Sequence, residues 1–215
     1  MTDDQLQLDV AAELFWDPKV SSAAIVVSAS GGTITLRGTV GSLRERREAR
    51  KAAERVYGVI DVNDELQVRI LDKDRREDTE LRGDILHALI LDGLIPTTVD
   101  AKVTGGFVTL TGTANWQYQR DEAKFIVANV PGVFALEDRI KLITSPNGRD
   151  IKNDISGAFT RSARLDAEGL SISTSPGSVT LSGVVRSWAE HDEAIAAAWA
   201  APGVTEVHDH IKIEY

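Results

Sequence analysis

Apolar residues recur at helical spacing in three stretches: Leu6, Val10 and Leu14; Leu81, Ile85 and Leu89; Ile151, Ile155 and Phe159. A four-residue step keeps side chains on one face of an α-helix, so each set predicts an amphipathic helix. Breakers end them at Asp17-Pro18, at Gly93-Leu94-Ile95-Pro96 and at Ala167-Glu168-Gly169. The pattern then turns strand-like. Ile25–Val27, Val99–Val103 and Leu170–Ser173 each lead through a glycine turn into Ile34–Leu36, Val108–Leu110 and Val179–Leu181, which predicts three hairpins. A second helix follows in each case: residues 42–56, with a serine cap and an alanine face, residues 116–130 and residues 187–201. Gly58, Gly132 and Gly203 stand where a left-handed cap would end it. The last element is an alternating strand, in which Val62, Leu66, Val68 and Ile70, or Val207, Ile211 and Ile213, point one way.

The same order written three times is an internal repeat. Gly32 to Gly38, Gly106 to Gly112 and Gly177 to Gly183 are all six residues apart, and the next glycine landmark follows each pair at a constant interval. The prediction is an α+β fold of three tandem αββαβ units, at 1–71, 77–144 and 149–215. Each unit is a three-stranded mixed sheet with two helices on one face. The second helix is a crossover, so the strands it joins should be parallel while the hairpin is antiparallel. Short polar linkers at 72–78 and 144–149 mark the boundaries. Units of about seventy residues bury little of their surface, so packing between them is expected.

Composition narrows the function. A formal charge of −9 over 215 residues argues against nucleic-acid binding, which needs a basic footprint. With no cysteine there are no disulfides, thiolate metal sites or thiol catalysis. No apolar run approaches the roughly twenty residues of a membrane span, and the acidic start lacks the features of a signal peptide. The expectation is a cytoplasmic protein, peripheral at the inner membrane where it touches lipid. No nucleophile–base pair, phosphate loop or metal cluster is legible, so neither enzymatic activity, cofactor nor metal is expected.

The Gly-x-x-x-x-x-Gly spacing, the Glu-Ala pair preceded by Arg or Asp in the second helix, and the Gly-Val before an Asp-containing strand together resemble the BON-domain family, a bacterial osmotic-stress and nodulation module. Trp116-Gln-Tyr-Gln-Arg-Asp-Glu-Ala123 and Ser187-Trp-Ala-Glu-His-Asp-Glu-Ala194 are similar to triple-BON proteins without a signal peptide. The resemblance spans nearly the whole chain. It implies a non-enzymatic αββαβ module associated with stress survival, envelope maintenance and attachment to phospholipid surfaces, and it implies no catalytic residue.

Several residues carry the chemistry of a binding protein. Arg44, Arg47, Lys51 and Arg55 fall within about 80° of arc on the second helix, away from its alanines, and would suit lipid headgroups or an acidic protein partner. A solvated face softened by Glu45, Glu48 and Glu54 is the plainer reading. Asp64, Asp138 and Asp209 share one repeat position, in phase with the inward residues of the last strand, either as structural carboxylates or as cation ligands. Gly38, Gly112 and Gly183 read as structural glycines. His208 and His210 project to one side of a strand on its polar face and read as solvated surface. Trp16, Trp116, Trp188 and Trp199 share no repeat position, and packing against a neighbouring unit suits them better than a membrane interface. A binding or scaffold protein of the stress response that contacts anionic phospholipid is the first reading. The alternative is a small-ligand or cation sensor using main-chain carbonyls and the aspartates.

Overall fold

A computed structural model describes residues 2–69, 76–143, 151–162, 165 and 169–215. Ile70, the 144–149 linker and most of the 72–78 linker lie outside the described residues, as do Ala167 and Glu168. The first repeat runs α1 (Asp3–Trp16), β1 (Ile25–Ser30), β2 (Thr33–Val40), α2 (Leu43–Glu54) and β3 (Asp61–Val68). The second runs α3 (Asp78–Leu91), β4 (Asp100–Thr104), β5 (Phe107–Ala114), α4 (Gln117–Ala128) and β6 (Ala135–Leu142). The third runs α5 (Ile151–Arg161), β7 (Leu170–Ser175), β8 (Ser178–Val185), α6 (Trp188–Trp199) and β9 (Glu206–Ile213).

Each repeat builds one three-stranded sheet, in the orders β1-β2-β3, β4-β5-β6 and β7-β8-β9. The hairpin strands are antiparallel, with Val27 opposite Leu36, Val103 opposite Val108 and Ile172 opposite Leu181. The crossover makes β3 parallel to β2 and β9 parallel to β8, with Leu36 beside Asp64 and Leu181 beside Asp209. This is the mixed α+β unit that the pattern predicts.

The cores are built from the predicted stripes. In the first repeat Leu6, Val10 and Leu14 of α1 meet Ala49, Ala52 and Ala53 of α2 over Ile34, Leu36, Val62 and Leu66, all buried. Alanines on α2 let two helices share one small sheet, because a bulkier face would hold them off the strands. In the third repeat Ile155, Phe159, Ala194 and Ala198 cover Val179, Leu181 and Val185. Trp188 and Trp199 pack against this same core. That corrects the expectation that they would bury against a neighbour.

The crossover helices α2 and α6 begin with a serine cap backed by the glutamate three residues on. Ser42 Oγ accepts from the Glu45 N–H at 3.1 Å while Glu45 Oε2 accepts from the Gly41 N–H at 2.7 Å. Ser187 and Glu190 repeat the motif, with 3.2 Å and 2.9 Å bonds. A further tether was not legible in the sequence. Asp3 Oδ1 accepts from the Gly31 N–H at 2.9 Å, and Asp78 accepts from the N–H groups of both Gly105 and Gly106. The first turns of α1 and α3 thus hold their own hairpins. At the matching turn position the third repeat has Pro176, which has no N–H to offer.

Contacts gather the chain into two units, Met1–Gly112 with Glu122–Ile140, and Thr113–Asp121 with Lys141–Tyr215. The first unit therefore holds the first repeat and much of the second.

Gly38, Gly112 and Gly183 sit at φ of 132°, 118° and 132°, and a Cβ there would collide with the carbonyl oxygens of Ala24, Thr98 and Gly169. The neighbouring strand enters against this bare backbone. Gly83, inside α3, has ordinary helical geometry and open space around it. We expect Gly112→Ala to destabilise the protein by about 2 kcal/mol or more, and Gly83→Ala to stabilise it by about 0.5–1 kcal/mol. Urea unfolding of the two variants checks both signs.

Candidate functional site

The basic stripe of α2 does not act as one surface. Arg55, at the C-cap of α2, reaches α1 and pairs with Glu13 at 2.9 Å and with Asp17 at 2.8 Å. Arg47 bonds the Glu48 carboxylate at 3.2 Å, and its guanidinium lies 4.5 Å from the ring centre of Phe125 on α4. Cation–π contact of this kind joins the first two repeats inside the first unit. Arg44 and Lys51 are exposed and form no ion pair among the described residues. Arg44 borders a cleft of about 260 Å³ whose other walls include Ser42, Asn129, Pro131 and Val133. Two of the four cations are thus committed to internal contacts, and two face solvent.

The acids explain why. Glu48 is buried and receives Lys19 at 3.2 Å as well as Arg47. Burial alone would raise its carboxyl, but the hydrogen bonds from Lys19 and Arg47 outweigh that and hold it below its ordinary value. Asp17 is also buried. The backbone N–H of Lys19 and the guanidinium of Arg55 hold its carboxyl below the usual range. Sequence spacing places Arg55 beside Lys51; only the fold brings it to an acid 38 positions away.

The recurrent aspartates share one geometry. Asp64, Asp138 and Asp209 each accept through Oδ1 from the N–H two residues on, at 3.0 Å in all three. The other oxygen faces the crossover helix: Asp64 meets Arg46 at 2.9 Å, Asp138 meets Lys124 at 3.9 Å and Asp209 meets His191 at 2.7 Å. Both oxygens of each carboxylate therefore face protein donors, and the cation reading draws nothing from this geometry. Asp9, Asp84 and Asp154 also share one repeat position, on the opening helices, but not one geometry: Asp9 accepts from Gln5, Asp84 meets Arg76 at 3.3 Å, and Asp154 lies exposed at a cleft of α5.

The sequence reading missed two exposed apolar pairs. Phe15 and Trp16 end α1 at 82% exposure each, and Ile90 and Leu91 end α3 at 76% and 72%. These pairs occupy equivalent positions, the two residues directly after the last core leucine, Leu14 or Leu89. The third repeat has Thr160 and Arg161 there. Their signal was available, since both pairs fall off the Leu6–Val10–Leu14 and Leu81–Ile85–Leu89 stripes. Arg55, gripping Glu13 and Asp17, ties the end of α1 that carries Phe15 and Trp16 to the C-terminal end of α2.

With this geometry in view, the BON domain model matches residues 2–70, 77–144 and 147–215. The chain belongs to the BON-domain family. Over 150 residues it is 33% identical to Osmotically-inducible protein Y of Escherichia coli (strain K12), covering 66% of this chain and 73% of that one. Two solved structures of CdsD, a structural protein of the type III secretion system of Chlamydia trachomatis, align at 13% and 12% identity. The first covers 98% of this chain and 92% of its own. The second, its C-terminal domain, covers 100% of both, but the TM-score is 0.28 for each, too low to bear on fold or function.

The repeat glycines lie against neighbouring carbonyls and the repeat aspartates accept from the backbone two residues on. The features that differ between repeats are the free cations Arg44 and Lys51 and the exposed helix ends. Depressed carboxyls in the first repeat also set an acid limit. A carboxyl whose folded pKa is lowered contributes stability above its unfolded value and loses it as pH falls through the folded one. For Glu48 and Asp17 the loss begins below about 4.5 and 3.8. Asp17→Asn should cost about 1–3 kcal/mol at pH 7 and flatten the decline of stability below pH 4. Denaturant midpoints measured from pH 7 to pH 3 would show it.

Proposed function

We propose that this protein is a non-enzymatic binding protein of the bacterial osmotic-stress response, and that it contacts anionic phospholipid through the first two repeats. The stress role is supported by three BON domains and by the likeness to Osmotically-inducible protein Y. The lipid contact is carried by one observation: Phe15 and Trp16 stand exposed at the end of α1, in the same repeat as exposed Lys51 and Arg44 of α2, which form no ion pair among the described residues. An exposed aromatic pair and exposed cations on one repeat suit a surface that is apolar below and anionic above. The contact is peripheral, since among the described residues no helix is long and apolar enough to cross a membrane.

Magnitudes make this a weak interaction. Each basic side chain near an anionic surface contributes about 1 kcal/mol, so two give only a modest attraction. The acidic residues of α1 oppose it. The exposed apolar ends supply the remainder, and Ile90 with Leu91 gives a second point of attachment in the next repeat. Arg47 and Arg55 take no part, because each is engaged in holding a buried carboxylate, Glu48 or Asp17.

Co-sedimentation with vesicles tests this. Binding to anionic vesicles should fall about tenfold or more in Arg44→Glu, Lys51→Glu and should weaken with salt. Phe15→Ser, Trp16→Ser should reduce binding at every salt concentration. Equal binding by wild type and both double variants would discard the surface. Binding by the wild type to neutral and anionic vesicles alike would discard its electrostatic part.

A further inference from the structure

The link between crossover helix and last strand is chemically different in the third repeat. Arg46, Arg120 and His191 share one repeat position, eight residues beyond Gly38, Gly112 and Gly183. In the first repeat the aspartate of the last strand meets arginine, which keeps its charge throughout the accessible pH range. Lys124 supports Asp138 in the second, and lysine also stays charged to high pH. In the third, Asp209 meets an imidazole, the side chain that changes charge near neutrality.

We propose that the His191–Asp209 contact is a proton-operated latch that holds α6 on β9 while the ring is protonated and loosens when the proton leaves. The ring lies between two carboxylates: Nε2 is 2.7 Å from Asp209 Oδ2, and Nδ1 is 3.2 Å from Asp192 Oδ1. An imidazolium donates to both. A neutral ring has one N–H, so it must abandon one carboxylate and turn a lone pair towards it. Trp188 packs edge-on with ring centres 5.1 Å apart, and the His191 side chain is 13% exposed, so the ring cannot swing freely into water.

The surroundings leave these carboxylates as the groups that answer the proton. On α6, Glu190 accepts from the Arg186 N–H and Glu193 accepts from Ser162 Oγ, which follows α5. From β8 the residue beside Asp209 is the buried Leu181. On β9 the neighbours His208 and His210 alternate to the opposite face of the strand. The bond to Asp192 is the largest influence on His191 and raises its affinity for the proton; burial opposes this, and Asp209 adds to the rise. With the folded value raised above the ordinary 6.5, the stabilisation is full below that pH and is lost as pH climbs through the folded value.

Hydrogen–deuterium exchange of the full chain between pH 6 and 9, corrected for the intrinsic pH dependence of exchange, tests the latch. In the wild type the Ile211 N–H, which bonds the same Asp209, and the rest of the α6–β9 segment should lose about three- to tenfold protection as pH rises. The Leu66 N–H in the first repeat should not. His191→Arg, which copies Arg46, should abolish the pH dependence and keep protection high; His191→Gln should abolish it at low protection. Wild-type protection that does not change with pH overturns the latch. So does a fall of the same size in both variants.

Discussion

A crossover helix in a unit this small has to be held over the strand it leads to, and one carboxylate provides the hold. Asp64, Asp138 and Asp209 fix the local backbone by accepting from the N–H two residues on, then present the remaining oxygen to the helix above. Asp209 is more exposed, but the Asp64 and Asp138 carboxylates are largely buried, where an unpartnered charge would be expensive, so the helix residue opposite cannot be chosen freely. It must be a donor. Arginine, lysine and histidine all qualify, and the three repeats use each of them.

That freedom lets the repeats keep one fold and diverge in behaviour. The core needs Leu36 or its equivalents, the alanines of the crossover helix and a bare backbone at Gly38, Gly112 and Gly183. None of these constrains the residues at the end of the opening helix. Phe15 and Trp16 in the first repeat and Ile90 and Leu91 in the second leave apolar surface in water, whereas Thr160 and Arg161 leave the third polar. Large exposed apolar side chains beside unpaired cations are the features that the stability of the fold does not explain, and they are where function has room to reside.

Acidic and basic residues divide in the same way. α1 and its C-cap carry Asp3, Asp4, Asp9, Glu13 and Asp17, of which Arg55 of the α2 C-cap answers Glu13 and Asp17, while Lys19 and Arg47 answer Glu48. A net negative chain therefore still presents local cations, but only those left over once the buried carboxylates have been served.

Sequence alone determined the periodic features. The four-residue stripes of Leu6–Val10–Leu14 and its copies, the glycine intervals and the serine caps are local or repeated, and each follows from one element meeting one core. The hairpin registers and parallel crossovers follow from these in turn. Tertiary structure decided the partners. Arg55 finds Asp17 across 38 positions and Arg47 finds Phe125 in the next repeat, so a stripe that is continuous on a helical wheel is split in three dimensions. Trp188 and Trp199 joined their own core, and Trp16 remained in solvent. Periodicity tells which way a side chain points from its own element. What stands opposite is set by the approach of another element, and for a long charged or aromatic side chain that distinguishes an internal tie from an exposed contact.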